Sequence, residues 1–238
     1  MQIYLKIIAS NSKYLEEIVH NMHQFYNIHS HLATENNDTI LTIQNLYDNF
    51  DKMDVTKFYS IGLHPWYLNN YEENLNLLKK HSQNKYVLAI GECGLDYLCN
   101  TDKQLQMKAF KEQIQLAVSL NKPLIIHCVK AFEDGLKQLN ELKYSIPVLF
   151  HGFNNNATIA KRLIDKQYYL SFGTSILRDK NAELLKSINP NYFFLETDTS
   201  TIEIEELYTT AAQIRNTDKN DIILQIQQNF KRVFLNDN

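Results

Sequence analysis

Five histidines and a few carboxylates stand where they could do chemistry together. His29 and His31 lie one residue apart in "IHSH", at the end of a short apolar run. In a strand, residues i and i+2 share one face, so both imidazoles would enter one small volume. Taken alone, the spacing fits a polar pair facing solvent at a strand end. The same placement recurs, however: His64 follows "SIGL", Glu92 follows "LAIG", His127 follows "PLII", His151 follows "VLF", and Glu196 and Asp198 follow "FFL". Each of these singly reads as a hydrogen-bonded structural residue or a helix cap. Repetition over six strand ends weakens that reading, because uncharged polar groups would fill such positions at lower cost than buried ionisable ones. By contrast, His81 in "KKHSQNK" reads as solvated surface, and His20 and His23 as the surface of an N-terminal helix.

Neutral imidazoles combined with two or three carboxylates suit transition-type or borderline divalent cations. Oxygen-only ligands would suit Mg²⁺ or Ca²⁺ better. Four His, one Glu and one Asp are more than one ion needs. Two ions bridged by a carboxylate would use them all; such ions sit about 3.5–4 Å apart and activate a water between them.

For these residues to meet, the elements that carry them must bring one end of every strand together. Eight runs have strand character: Phe25–His29, Thr39–Ile43, Lys57–Leu63, Tyr86–Glu92, Pro123–His127, Pro147–His151, Tyr168–Phe172 and Tyr192–Thr197. Helical patterns fill about 103–120, 130–143, 155–166, 179–188, 203–215 and 218–234. Alternating strands and helices imply right-handed βαβ units and a parallel sheet. Runs such as "KPLIIH" and "NYFFLE", apolar almost throughout, are those of strands buried on both faces. Eight of them point to a closed (β/α)₈ TIM barrel, whose active sites form where the C-terminal strand ends meet. The stretch from His31 to Gly62 shows no strong helical period, so the second unit is expected to be reduced. Leu15, Ile18, Met22 and Phe25 are spaced as in a helix. The expected organisation is therefore an N-terminal helical extension over 1–24 and a barrel over 25–238.

The totals agree with one α/β domain. The chain has 238 residues, 44% of them hydrophobic, enough for a sizeable core. Lys+Arg total 24 against Asp+Glu 27, a net charge of −3, so nucleic acid could not be held by bulk charge alone. Bound cations would have to supply the positive charge. Three cysteines, Cys93, Cys99 and Cys128, with no C-x-x-C pair, argue for reduced thiols and a cytoplasmic protein. The start "MQIYLKIIAS" lacks a signal-peptide core, and no apolar run approaches a membrane span.

The residues also resemble a known family. "IHSHL", "IGLHPW", "AIGECGLDY", "QMKAFKEQIQLA", "KPLIIHC", "HGF", "YYLSFG", "FFLETD" and "QNFKRVF" occur in this order from about Asn27 to Phe234. Together they resemble the TatD-type metal-dependent deoxyribonucleases, amidohydrolase-like TIM barrels. The resemblance implies two divalent ions, Mg²⁺, Mn²⁺ or Zn²⁺. It implies that His29, His31 and Asp198 bind one ion, that His127 and His151 bind the second, and that Glu92 bridges the two. Asp198 would take the proton of the attacking water, and His64 would steady a phosphate oxygen. Lys130 and Glu196 are further candidates for substrate contact. In many amidohydrolase relatives a carboxylated lysine bridges; Glu92 in its place favours the TatD-like branch. The implied substrate is DNA, single-stranded or attacked from an end; separately, a monomer is favoured over an oligomer.

Several departures bear on the substrate. Family members often carry Arg where Val129 stands, and the neighbouring Lys130 cannot form the same bidentate clamp. His151-Gly152-Phe153-Asn154-Asn155 replaces the common His-Cys-Phe-Ser-Gly. After Asp198 the chain runs through Thr199-Ser200-Thr201 straight towards a helix, where members usually have a longer Gly-Lys-Arg-Asn loop. These differences keep open a hydrolase of a small phosphoester, lactone or amide, and a non-catalytic metal- or nucleic-acid-binding barrel. Met22 stands where family chains tend to begin, so residues 1–21 are expected to be either a helix under the barrel or the product of an upstream start.

Overall fold

In the computed structural model, the described residues are 25–33, 36–141 and 146–235. The expected N-terminal helix, with His20 and His23, lies outside them. Eight strands run in the order of the chain, each parallel to the next: β1 Phe25–Ser30, β2 Ile40–Leu46, β3 Phe58–Ile61, β4 Val87–Asp96, β5 Leu124–Val129, β6 Val148–Phe150, β7 Tyr169–Phe172 and β8 Phe193–Leu195. The helices are α1 Tyr71–His81, α2 Lys103–Leu120, α3 Phe132–Asn140, α4 Ala157–Ile164, α5 Asp179–Ser187, α6 Ile204–Arg215 and α7 Lys219–Phe234.

The barrel closes where its two ends meet. Asp198 N–H donates to the His29 carbonyl at 3.0 Å, and His31 N–H donates to the Asp198 carbonyl at 2.9 Å. Beneath this, Asn27 and Thr197 bond reciprocally: the Asn27 amide donates to Thr197 Oγ1 at 2.8 Å and accepts from Thr197 N–H at 3.0 Å. The segments that carry His29, His31 and Asp198 are thus held by the same bonds that complete the barrel.

The expected reduced second unit is present. Between β2 and β3 the described chain forms only a 3₁₀ turn, Phe50–Lys52. One helix was not among the expected segments. In α1, Tyr71, Leu75 and Leu78 are buried at i, i+4 and i+7, while Asn70 before it makes no side-chain cap. The helix therefore owes its position to its apolar face, which packs with Leu63, Leu68 and Phe50 in a small separate core. The main core runs round the barrel from Phe25 to Phe234. Other helices carry conventional starts: Asp102 accepts from Leu105 N–H, Asn156 from Ile159 N–H and Asp218 from Asn220 N–H.

β4 runs four residues beyond the expected end at Glu92. Here β5 approaches so closely that a Cβ on Gly91 would overlap the Ile125 carbonyl, and one on Gly94 the His127 carbonyl. Both glycines have positive φ, 147° and 140°. They let the strand that carries Glu92 lie against the strand that carries His127.

Candidate metal centre

Glu92 sits at the middle of the C-terminal face, 2% exposed. Its two oxygens face different partners. Oε2 lies 3.1 Å from His31 Nε2 and 3.5 Å from His29 Nε2. Oε1 lies 2.7 Å from His151 Nε2, 2.8 Å from His127 Nδ1 and 3.0 Å from His64 Nε2. Asp198 completes the first group, with Oδ1 at 3.5 Å from His31 Nε2 and 3.8 Å from His29 Nε2. Among the described residues three sets could hold a metal ion: His29, Glu92 and His151; His29, His31 and Asp198; and His64, Glu92 and His127.

Neighbouring groups fix how the rings point. His127 Nε2 lies 3.2 Å from Asp96 Oδ2 and His151 Nδ1 lies 3.3 Å from Glu196 Oε1. A carboxylate there favours a proton on the facing nitrogen, leaving the lone pair of the opposite nitrogen turned to Glu92. His64 is oriented the other way: its Nδ1 accepts from Trp66 N–H at 3.1 Å, so a neutral ring carries its proton on Nε2. The Glu92 backbone N–H donates to Asn45 Oδ1 at 2.7 Å, and Ser60 Oγ bonds the same oxygen at 3.1 Å. Two glutamines of α2 grip the strand ends. Gln106 bonds both backbone groups of Asp96, at 2.8 and 3.0 Å, and Gln113 both backbone groups of Leu63, at 2.7 and 3.1 Å.

The electrostatics are those of a pocket built around positive charge. Burial works to raise the Glu92 carboxyl, but His151, His127 and His29 together hold it well below the usual range. Burial works against a charged His151, yet Glu92 and Glu196 keep it well above the ordinary imidazole value. The bond to Glu92 raises His31, against burial. At His64 burial wins over the pull of Glu92, and the ring is lowered towards its neutral form. Both His29 nitrogens are buried without a hydrogen-bond partner, an arrangement that a cation at Nε2 would satisfy on that side. Lone pairs of several imidazoles converging on one carboxylate repel unless a cation or protons lie between them. The donor set therefore fits divalent metal ions.

Each expected site residue has a definite place. His29, His31, Glu92, His127, His151, Asp198 and His64 come together in one cluster. Lys130 is exposed at the rim of a cavity of about 360 Å³ beside His151, also lined by Val129, Gly152 and Asn154. Glu196 does not reach that cleft. It is fully buried, accepts from Gly152 N–H at 2.7 Å, and lies behind His151. The expected substrate contact at Glu196 is corrected to a contact that orients His151. Asp96, Asn45, Gln106 and Gln113 were not foreseen. Asp96 did carry a signal, since it lies at i+4 from Glu92 in an extended strand and so on the same face. Asn45 carried none, a single amide in a short alternating strand.

The chain is similar to known proteins in sequence and in fold. A family model described as "TatD related DNase" matches residues 10–235. A metal-dependent hydrolase of Buchnera aphidicola subsp. Baizongia pistaciae is 32% identical over 83% of this chain and 83% of its own. A human protein named 3′-5′ RNA nuclease TATDN2 is 36% identical over 58% of this chain and 19% of its own. The crystal structure of the Escherichia coli TatD homologue YJJV superposes with a TM-score of 0.76 at 18% identity, covering 89% of this chain and 98% of that one, a likeness of fold.

Proposed function

The chain belongs to the TatD-related DNase family, and we propose that it is a metal-dependent phosphodiesterase that hydrolyses DNA. The observation that carries this reading is the division of partners between the two oxygens of Glu92. In this reading His29, His31 and Asp198 would hold one divalent ion and His127 and His151 a second, with one Glu92 oxygen facing each set. When bound, the ions supply Lewis acidity at the phosphoryl oxygens and lower the pKa of the attacking water. They also bring the positive charge that a net −3 chain lacks.

The residues of the chain do the rest. Asp198 is the acceptor for the water proton. Its side chain is 41% exposed, at the mouth of the cluster, whereas Glu92 is enclosed. As water oxygen bonds to phosphorus, the bond from phosphorus to the leaving sugar oxygen breaks, and that oxygen leaves protonated by Asp198 or solvent. His64, with its proton on Nε2, donates to Glu92 Oε1 at 3.0 Å and steadies that carboxylate, so the phosphate contact expected of it would require Nε2 to turn from Glu92. Asp96 and Glu196 hold His127 and His151 in line. Lys130 meets the strand as a point charge at the cavity rim.

Purified protein supplied with Mn²⁺, Mg²⁺ or Zn²⁺ is expected to cut end-labelled single-stranded DNA. Asp198→Asn should reduce the rate by at least about 100-fold. Cutting at the wild-type rate by that variant would remove Asp198 from its role. A second reading has one specific support: the connection from Asp198 to α6 is only residues 199–203 long, leaving little loop to line a polymer groove. Faster turnover of a small phosphoester, lactone or amide than of any DNA or RNA strand would favour it.

A further inference from the structure

Beside the cluster lies a group of aromatic rings to which the hydrolytic chemistry assigns no part. The polypeptide has one tryptophan, Trp66, and it is 51% exposed. Tyr67 next to it is 47% exposed, and Tyr47, from the loop after β2, is 37% exposed. Single exposed rings are ordinary, but a contiguous exposed group marks a contact surface.

These rings are held in place. His64-Pro65-Trp66-Tyr67 is a tight turn in which Tyr67 N–H donates to the His64 carbonyl at 3.0 Å, with proline at the position where its fixed φ suits a turn. The Trp66 indole N–H donates to Asp96 Oδ2 at 2.7 Å, so the ring is tethered while half its surface stays open. Tyr67 stacks on Tyr47 with centroids 4.7 Å apart and planes 27° apart, joining two loops. All three rings adjoin the central imidazoles. Trp66 lies 5.1 Å from His64 and 6.1 Å from His127, Tyr67 lies 5.6 Å from His64, and Tyr47 lies 6.4 Å from His31.

We propose that Trp66, Tyr67 and Tyr47 form a stacking platform for unpaired nucleobases flanking the phosphodiester under attack. The inference rests on the nuclease reading. What joins a flat apolar face to a phosphodiester within a few ångströms is a nucleotide, and stacking on aromatic side chains holds any base without reading its sequence. Bases in a duplex have their faces covered by their neighbours, so the platform accepts single strands and frayed ends. It also supplies affinity of a kind that net negative charge does not oppose.

Because Trp66 is the sole tryptophan, its fluorescence reports the platform directly. The full metal-loaded chain would be mixed in stopped flow with single-stranded oligothymidylate, with an abasic strand of equal length, and with a blunt duplex. The quench would be read before turnover. Quenching by oligothymidylate is expected, with little from the abasic strand or the duplex. Tyr47→Ala and Tyr67→Ala should weaken binding of the base-bearing strand by about 5- to 100-fold. Each should also shrink the preference over the abasic strand. Tyr67→Phe should restore both, and Leu224→Ala, on the exposed side of α7, should behave as wild type. Equal quenching by the abasic strand, or unchanged binding in both alanine variants, would overturn the platform. So would emission that shifts with protein concentration alone, since a second copy would then cover the rings. Strand cleavage measured in the same samples separates the two ideas. Cleavage with a silent Trp66 removes the platform and keeps the nuclease. Base-dependent quenching without cleavage of any strand keeps the platform and removes the nuclease.

Discussion

Glu92 shows how one side chain can give a site its character. A buried carboxylate facing imidazoles on both oxygens keeps its charge, and in turn raises the proton affinity of His151 and His31. The raised His151 has a consequence with a definite sign. In the metal-free protein its folded pKa lies above the unfolded value of about 6.5, so the protonated ring adds stability that is complete below about pH 6.5. That stability is lost as pH rises through the folded value. A metal ion needs the neutral ring, so near neutral pH it must displace that proton. Calorimetric titration of Mn²⁺ or Zn²⁺ in two buffers of different ionisation enthalpy should show net proton release, about one from His151 with a further share from His31. Apparent affinity should drop about tenfold for each pH unit below the His151 value. Binding with no proton release would show that His151 is already neutral.

At the level of elements, α2 acts as a bracket for the strand ends. Gln106 and Gln113 are seven residues apart, on one face of the helix, and each satisfies both backbone groups of a residue beside the site. Gln113→Leu would leave the buried N–H and carbonyl of Leu63 without those partners. A loss of about 2–4 kcal/mol in unfolding free energy is expected, read by urea denaturation. Because Leu63 precedes His64, the variant should also hydrolyse DNA more slowly than its remaining folded fraction accounts for. Activity in proportion to folded protein would confine Gln113 to stability. Much of this level was legible beforehand. Apolar runs ending in histidine or glutamate located six strand ends to within a few residues, because parallel strands buried on both faces leave little room for polar residues before their ends. α1 has no counterpart among the expected helices although Tyr71, Leu75 and Leu78 are spaced for one, since polar residues surround them and no side chain caps the start. The grip of Gln106 and Gln113 was hidden for another reason. A buried glutamine and an exposed one look alike in sequence until the partner backbone 10 or 50 residues away is brought to it.

For the molecule as a whole, charge and shape divide the task of binding. Among the described residues no helix is long and apolar enough to cross a membrane, and the chain carries a net charge of −3. On the proposed reading, a strand held by divalent ions, a lysine and stacked rings would release few counterions. The affinity of the Asp198→Asn protein for single-stranded DNA should therefore depend weakly on salt, with a log–log slope of about −1 to −2. A slope steeper than about −4 would reveal a basic track along the surface.

The join between β1 and the segment after β8 has one further consequence. Asp198 meets His29 and His31 through the backbone bonds that close the barrel, so the first residues of the cluster to leave the ribosome wait for the last. On the proposed reading, a nascent chain shorter than residue 198 has neither the proton acceptor nor the bonds that close the ring, and is expected to cut no strand. The capacity to hydrolyse would then arrive late, when the segment after β8 docks on β1.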